Sequence, residues 1–212
     1  MASSERYPIP AGFARTEQRV VNSRFLGSVA CTPSVEEARA FIAALREEFP
    51  DATHHAYAYL VGYGASVTAG MSDDGEPSGT AGRPMLAVLR GSGLGDVTVV
   101  ATRFFGGTLL GTGGLVRAYS DTTRAVLDVV ERTERVERCR MQVRVDYSLY
   151  TLVRRAIESF ETAFEHEDFA SDVTLVVALP VSEYDACAAL VAELSAGQAE
   201  IVRQEASVRT GA

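Results

Sequence analysis

The sequence predicts a chain of the α/β (α+β) class, built in two parts. Three observations lead there. After residue 140 the segments run strand, helix, strand, strand, helix, strand, which is the ferredoxin-like βαββαβ order. Between residues 13 and 130, apolar residues alternate with period two in some segments and fall on a helical stripe in others. Residues 131–138 form a charged run without glycine or proline. The expected division is therefore a first domain over 13–130, a linker or helix end over 131–139, and a second domain over 140–212.

Residues 13–32 read as two extended segments around Asn22-Ser23. Ser34 suits a helix N-cap, and Glu37 three residues on completes a capping box. That helix runs Val35 to Phe49, with Val35, Ala38, Phe41, Ile42 and Leu45 on one stripe and Pro50-Asp51 as its stop. Residues 54–61 alternate as a strand, with Tyr57 and Tyr59 on one side. Gly62 to Gly64 turns the chain into a short strand, Ser66 to Met71. After an acidic turn, Pro84 fits the first turn of a helix through Leu89, and Gly91 its end. Val97 to Phe105 is rich in β-branched residues and reads as a buried strand. A glycine loop, 106–114, then feeds a long helix from about Gly114 to Val130.

In the second part, Met141–Tyr147 is a strand and Ser148 caps a helix to Phe160. Thr162–Phe169 and Asp172–Leu179 are strands joined at Ala170-Ser171. Pro180-Val181-Ser182 starts a helix to Ser195, Gly197 ends it, and Glu200–Val208 is the last strand. The arrangement says nothing of function, because this fold hosts many roles.

The 212 residues, 47% of them hydrophobic, suffice for two small cores. No run of eighteen apolar residues suggests a membrane span, so no membrane partner is expected. Met1 to Pro10 lacks an apolar signal core, so a cytoplasmic location is expected. Cys31, Cys139 and Cys187 match no zinc or CxxC spacing and read as buried free thiols. With His54, His55 and His166 the only histidines, no metal centre is expected. All twenty cationic residues are arginine, which excludes lysine chemistry. A net charge of −8 argues against a general nucleic-acid coat. The charge is uneven: residues 1–139 carry 14 arginines against 16 acids, and 140–212 carry 6 against 12. From Arg83 to Arg124 there are five arginines and only two acids, Asp96 and Asp121, so any anion-binding face should lie there.

Two glycine-rich segments fall in or beside that region. One is Asp73-Asp74-Gly75-Glu76-Pro77-Ser78-Gly79-Thr80-Ala81-Gly82-Arg83-Pro84. The other runs from Arg103-Phe104-Phe105-Gly106-Gly107-Thr108 through Gly111-Thr112-Gly113-Gly114 to Arg117 and Tyr119. Both lead into helices and carry arginines, and backbone N–H groups at a helix start backed by a guanidinium suit phosphate. The alternative is two tight turns, since neither segment is a Walker A or a Gly-x-Gly-x-x-Gly fingerprint. Gly113 is expected to need close packing or a positive φ.

Ser78, Thr80 and Thr108 lie in these segments, but no Gly-x-Ser-x-Gly elbow surrounds them, so an enzyme is the less favoured reading. His54 or His55 could serve as a base or as a structural histidine. Asp73, Asp74 and Glu76 could hold a hard cation such as Mg²⁺, do acid–base work, form a solvated turn, or accept from Arg83 or Arg103 and lock the segments together. Arg103, Phe104 and Phe105 form a basic–aromatic cluster of the kind that holds RNA by charge and stacking. Arg117 could reach the loop or a phosphate, while Tyr119 reads as packed against the sheet.

These segments, with Ser23-Arg24-Phe25 and Ala52-Thr53-His54-His55-Ala56-Tyr57-Ala58-Tyr59, resemble the signature of the YigZ/IMPACT family. The resemblance spans about 13–130 and is specific, since four segments occur in family order. Residues 140–212 resemble the C-terminal domain of bacterial YigZ proteins in position and pattern. The resemblance implies an N-terminal domain with the α/β fold of ribosomal-protein and elongation-factor-G domains, and a C-terminal ferredoxin-like domain like one of elongation factor G. That pairing implies a translation-associated regulator contacting RNA, the ribosome or a protein partner. The eukaryotic members regulate translation initiation through a starvation-responsive kinase that bacteria lack. This chain is also expected to lack their extra N-terminal domain. No catalytic constellation and no cofactor come with the family. The candidate ligand residues are those of the two segments, with Arg24, His54 and His55 as auxiliaries. The runner-up is an enzyme acting on a phosphorylated or nucleotide substrate at the same face, and a third reading is a protein-interaction module.

Overall fold

A computed structural model describes residues 6–64 and 67–204. The chain divides into two compact units, one ending at Arg135 and the next beginning at Val136. Each has its own buried core. No helix among the described residues is long and apolar enough to cross a membrane.

The first unit is built on a five-stranded sheet in the order β2-β3-β6-β4-β5. Its strands are β2 (Ala14–Val20), β3 (Ser23–Cys31), β4 (His54–Val61), β5 (Thr68–Ser72) and β6 (Val97–Phe104). Every pairing in it is antiparallel. β6 is central and buried from Val97 to Arg103, as its β-branched run predicts. Helix α1 (Val35–Glu48) covers one face through Ile42 and Leu45, which meet Val100. Its cap is as expected, with Ser34 Oγ accepting from the Glu37 N–H at 3.1 Å. Helices α2 (Gly82–Gly91) and α3 (Gly111–Val129) cover the other face. There Phe25, Val29, Met85, Leu89, Val99, Leu115, Tyr119 and Val126 form the main core. Each large apolar side chain fully buried there stabilises the unit by about 1.5–3 kcal/mol.

Several boundaries differ from expectation. Helix α2 begins at Gly82, where a Cβ would lie 2.8 Å from the Ser72 carbonyl carbon, so only glycine lets the helix start against β5. Helix α3 begins at Gly111, so Gly113 and Gly114 are helical rather than loop residues. The expected strand start at Ser66 lies outside the described residues.

The charged stretch expected as a linker or helix end over 131–139 is instead strand. β7 (Arg132–Val136) pairs with β1 (Arg6–Pro10), and β8 (Arg138–Val145) starts immediately after. The first unit therefore extends beyond 13–130 at both ends. Its N-terminal strand is tied down by the Gly95 N–H donating to the Pro8 carbonyl at 2.9 Å, and by Tyr7 stacking on Tyr63 at 5.0 Å.

The second unit has the βαββαβ order. Its sheet runs β11-β8-β10-β9, with α4 (Tyr147–Glu158) and α5 (Tyr184–Leu194) as the crossovers. The other strands are β9 (Ala163–Phe169), β10 (Val173–Pro180) and β11 (Glu200–Gln204), all paired antiparallel. Asp146, not Ser148, occupies the N-cap position of α4, without a side-chain cap bond. A 3-10 turn at Val181–Glu183 delays α5 to Tyr184. Residues expected in the last strand after Gln204 lie outside the described residues. Cys139 and Cys187 are buried free thiols in this core, and burial pushes the Cys187 thiol up to about 11. Arg138, Arg140 and Arg144 alternate with the core residues of β8 and pair with Glu161, Glu165 and Asp172. The arginines of this acidic unit are thus largely neutralised within it.

Candidate functional site

The site grows from one row across the first sheet. Arg103 on β6 stands in phase with Val97, Val99 and Ala101, on the face covered by α2 and α3. Phe25 of β3 is its partner on one side and His54 of β4 on the other. The Arg103 side chain is 5% exposed and the Glu76 side chain 3%. Arg103 Nη1 donates to Glu76 Oε1 at 2.6 Å, and Tyr119 O–H donates to the same oxygen at 2.7 Å. Arg103 Nη2 reaches Ser23 Oγ at 3.2 Å, while Nε has no hydrogen-bond partner among the described residues. The guanidinium lies 5.4 Å from the Phe25 ring centre and 5.3 Å from that of Phe105. Burial, with the Glu76 carboxylate beside it, pushes the Tyr119 hydroxyl far above its ordinary value.

His54 completes the row. Its Nδ1–H donates to the Asp74 carbonyl at 2.7 Å, an assignment fixed by a partner that can only accept. That leaves Nε2 as the acceptor of the neutral ring, 3.8 Å from Glu76 Oε1 and beyond hydrogen-bond reach.

Above these groups opens a cleft of about 440 Å³, lined by Thr53, His54, Gly75, Glu76, Pro77, Arg103, Phe105, Leu109, Leu110, Gly111, Thr112 and Leu115. The two glycine-rich segments therefore meet, and Glu76 with Arg103 locks them, one of the roles open to the acidic turn. A larger groove of about 610 Å³ runs between α2 and α3. Both of its arginines are already engaged, Arg124 with Asp121 and Arg132 with the Ser92 carbonyl, so neither guanidinium is held ready for an anion there.

The start of α3 is part of the cleft wall. Leu110 holds the N-cap position without a side-chain cap bond, and no acid stands in the first turn. Backbone N–H groups at the beginning of a 19-residue helix are thus left without a capping side chain, with the positive end of the helix dipole behind them. Gly111 has φ +70°, and open space surrounds the Cβ positions of Gly111 and Gly113.

Other candidates lie elsewhere or serve the scaffold. Asp73 does not offer its oxygens to a cation. Its Oδ2 accepts from Gly79 N–H at 2.8 Å, and Oδ1 accepts from Ala81 and Gly82 N–H at 2.9 and 2.8 Å. Desolvation pushes this carboxyl up, but the three backbone donors and Arg83 outweigh it and hold it below its ordinary value. Asp74 is likewise consumed, by Arg46 at 2.6 Å and His55 N–H at 2.6 Å. The Mg²⁺ and acid–base readings of this pair fall for that reason. Thr80 closes a turn onto the Pro77 carbonyl at 2.7 Å, and Ser78 is exposed. Arg83 and Arg117 are exposed and neither lines the cleft, so Arg117 is not directed at it.

Arg24 and His55 are on the opposite, α1 face. Arg24 stacks on Phe104 at 4.1 Å. His55 Nε2–H donates to the Phe49 carbonyl and Nδ1 accepts from Thr102, each at 3.2 Å; burial pulls its ring below the ordinary histidine value. Neither can serve the cleft. Gly106, Gly107 and Thr108 hold the loop. A Cβ on Gly106 would lie 1.9 Å from the Asn22 carbonyl oxygen, Gly107 has φ +81°, and Thr108 Oγ1 accepts from Asn22 at 3.1 Å. Gly113 is helical with open space around it, so the constraint expected at Gly113 falls on Gly106.

Sequence reasoning missed the apolar wall of Pro77, Leu109, Leu110 and Leu115 and the capture of Tyr119 by Glu76. The available signal was the Leu109-Leu110 pair set between Gly107 and Gly111; in the structure Leu109 is 87% exposed.

The role of Asp73 gives an expected result. Asp73→Ala leaves the buried Ala81 and Gly82 N–H groups without their acceptor and destabilises the first unit by about 1–3 kcal/mol near neutral pH. A depressed carboxyl contributes stability that is present above its unfolded value, near 3.8, and lost as pH falls through the lower folded one. Urea unfolding of both proteins from pH 7 downwards should show the gap narrowing below about pH 4. A gap independent of pH would contradict this role.

The Impact N-terminal domain family matches residues 21–127, and a domain of unknown function, DUF1949, matches residues 143–198. An IMPACT family member of Haemophilus influenzae is 37% identical over 193 residues, 91% of this chain and 94% of that protein. The IMPACT family member YigZ of Escherichia coli is 37% identical over 202 residues, 95% of this chain and 99% of YigZ. A crystal structure described as that of a hypothetical protein superposes with a TM-score of 0.70 at 35% identity, covering 95% of this chain and 98% of that one. With its first unit matched by the Impact domain and its length matched almost end to end by YigZ, this chain belongs to the YigZ/IMPACT family.

Proposed function

We propose that this protein is a translation-associated regulator that binds RNA through the cleft of its first unit, in the cytoplasm. The family resemblance supplies the translation context. The observation that carries RNA binding is the uncapped, glycine-rich start of α3, which opens on the same cleft as Arg103. Helix N-termini of this kind take phosphate through backbone N–H groups and the dipole. Phe105, 43% exposed at the cleft, offers a ring on which a base can stack. The second unit is acidic and pairs Arg138, Arg140, Arg144 and Arg154 internally, which favours the first unit as the RNA-binding one.

Thr112 gives the test. It is exposed in the first turn of α3. Thr112→Glu puts a carboxylate where the phosphate would sit, yet an acid at a helix start is itself favourable by about 0.3–1 kcal/mol. Co-sedimentation with ribosomes, and binding to single-stranded RNA, should fall roughly tenfold for the variant, with no loss of thermal stability. Few phosphate contacts imply a shallow salt dependence, about tenfold or less between about 50 and 200 mM salt. Ribosome binding without RNA binding would instead point to a protein surface. Binding to neither would end the reading.

The buried Glu76–Arg103–Tyr119 cluster beside His54 favours a second reading, an enzyme acting on a phosphorylated or nucleotide substrate in the same cleft. Turnover of such a substrate by the purified protein, lost in His54→Gln, would favour it.

A further inference from the structure

We infer that the cleft takes a single ribonucleotide bearing a terminal 5′-phosphate, whether free in solution or at the 5′ end of an RNA, rather than the interior of a strand. This rests on the reading of the cleft as a phosphate site. Two kinds of group line it. The start of α3 presents donors, which suit phosphate. Its floor presents acceptors. Glu76 is almost fully buried, and both of its side-chain hydrogen bonds go to Oε1, so Oε2 accepts nothing from the described residues. In the neutral ring His54 Nε2, 3.8 Å from Glu76 Oε1, is a second acceptor, because Nδ1–H is committed to the Asp74 carbonyl. Phosphate alone leaves these acceptors without donors. A ribose hydroxyl supplies them, and a carboxylate that accepts from a ribose 2′-OH is a known solution to sugar recognition.

The arrangement also disfavours a continuous strand. Interior phosphodiesters need a cationic track, and the lining offers one guanidinium already paired with Glu76. A volume of about 440 Å³ suits one nucleotide. Arg103 acts here as a positioning residue, fixing the Glu76 carboxylate so that Oε2 stays free.

The experiment is calorimetric titration of the full chain with the four ribonucleoside 5′-monophosphates, their 2′-deoxy counterparts and the parent nucleosides, beside a ten-nucleotide RNA carrying either a 5′-phosphate or a 5′-hydroxyl. At least one ribonucleotide or the 5′-phosphorylated RNA should bind. Removing the phosphate or the 2′-hydroxyl should each weaken binding about tenfold or more. Binding of free nucleotides alone or of phosphorylated RNA ends alone both uphold the inference and separate the two sources. Thr112→Glu should abolish the advantage of the phosphate, and Glu76→Gln should bring the ribose-to-deoxyribose ratio towards one. If Glu76→Gln does not fold, His54→Gln reads the same ratio. Equal affinity for ribose and deoxyribose forms, equal affinity for 5′-phosphate and 5′-hydroxyl RNA, or no binding at millimolar ligand would overturn it. Tight binding of 5′-hydroxyl RNA that Thr112→Glu still weakens would overturn this inference while leaving RNA binding by the cleft intact.

Discussion

Glu76→Ala should destabilise the first unit by about 3–5 kcal/mol, the cost of breaking a buried ion pair from one side. Arg103 keeps its charge, is 5% exposed, and has no second carboxylate of the described residues within an ion pair's distance. Its remaining hydrogen bond, to Ser23, is a neutral one at 3.2 Å. Tyr119, buried and donating to the same Glu76 oxygen, loses its acceptor in the same step. Hydrogen exchange of the β6 amides reads the opening free energy of this unit apart from that of the other. Removing both charges separates the pair from the packing. Glu76→Gln with Arg103→Met should recover part of the loss, because no uncompensated charge is then buried. A Glu76→Ala protein within about 0.5 kcal/mol of the parent would mean that Arg103 finds solvent on its own and that the cluster is no lock.

The strands and helices were legible because their signals are local. The Ser34 cap with Glu37, the β-branched run of β6 and the period-two pattern of β4 each act within a few residues. The charged stretch around β7 was misread for the opposite reason. Its residues are exposed or half-buried and carry no apolar stripe, and what makes it a strand is a partner more than 120 residues earlier in β1. The same division holds within the site. Glu76 and Arg103 were identifiable as a carboxylate and a guanidinium in neighbouring motifs, and one stated option was that they pair. Which acid of Asp73, Asp74 and Glu76 faces the cleft was not legible. Asp73 turns back onto its own loop to cap α2, and Asp74, at φ 47°, reaches Arg46 and the His55 N–H. His54 and His55 are adjacent in sequence, and the pleat sends them to opposite faces, one to the cleft and one to α1. Register alone separates them, and register is set by the whole sheet.

Asp96→Ala should cost the first unit about 3 kcal/mol and release the β1–β7 ribbon, because three unlike segments converge on one buried carboxylate. Asp96 is 1% exposed. Its Oδ1 accepts from the Gly62 N–H at 2.8 Å, and Oδ2 accepts from Tyr7 O–H at 2.8 Å and from the Arg135 guanidinium. Tyr7 belongs to β1 and Arg135 to β7, so one side chain ties both strands of the ribbon to the turn after β4. The backbone adds to the cost. Asp96 has φ 46°, where aspartate is tolerated and alanine strained by about 1–2 kcal/mol. Asp96→Asn separates the two contributions. It keeps the tolerated backbone and an oxygen for Gly62 but replaces the Oδ2 acceptor that Arg135 and Tyr7 meet with an NH2 donor, so it removes the charge and that acceptor without the backbone strain and should cost less than the alanine variant. Burial, then the hydrogen bond to Asp96 and its charge, hold the Tyr7 hydroxyl well above its ordinary value of 10.0. Spectrophotometric titration should therefore show one tyrosine ionising at lower pH in either variant. Amide exchange in β1 should accelerate in Asp96→Ala while the β6 amides keep most of their protection. If β1 stays as protected as in the parent, the ribbon is held by its strand pairing and by the stacking of Tyr7 on Tyr63, and Asp96 is not its clasp.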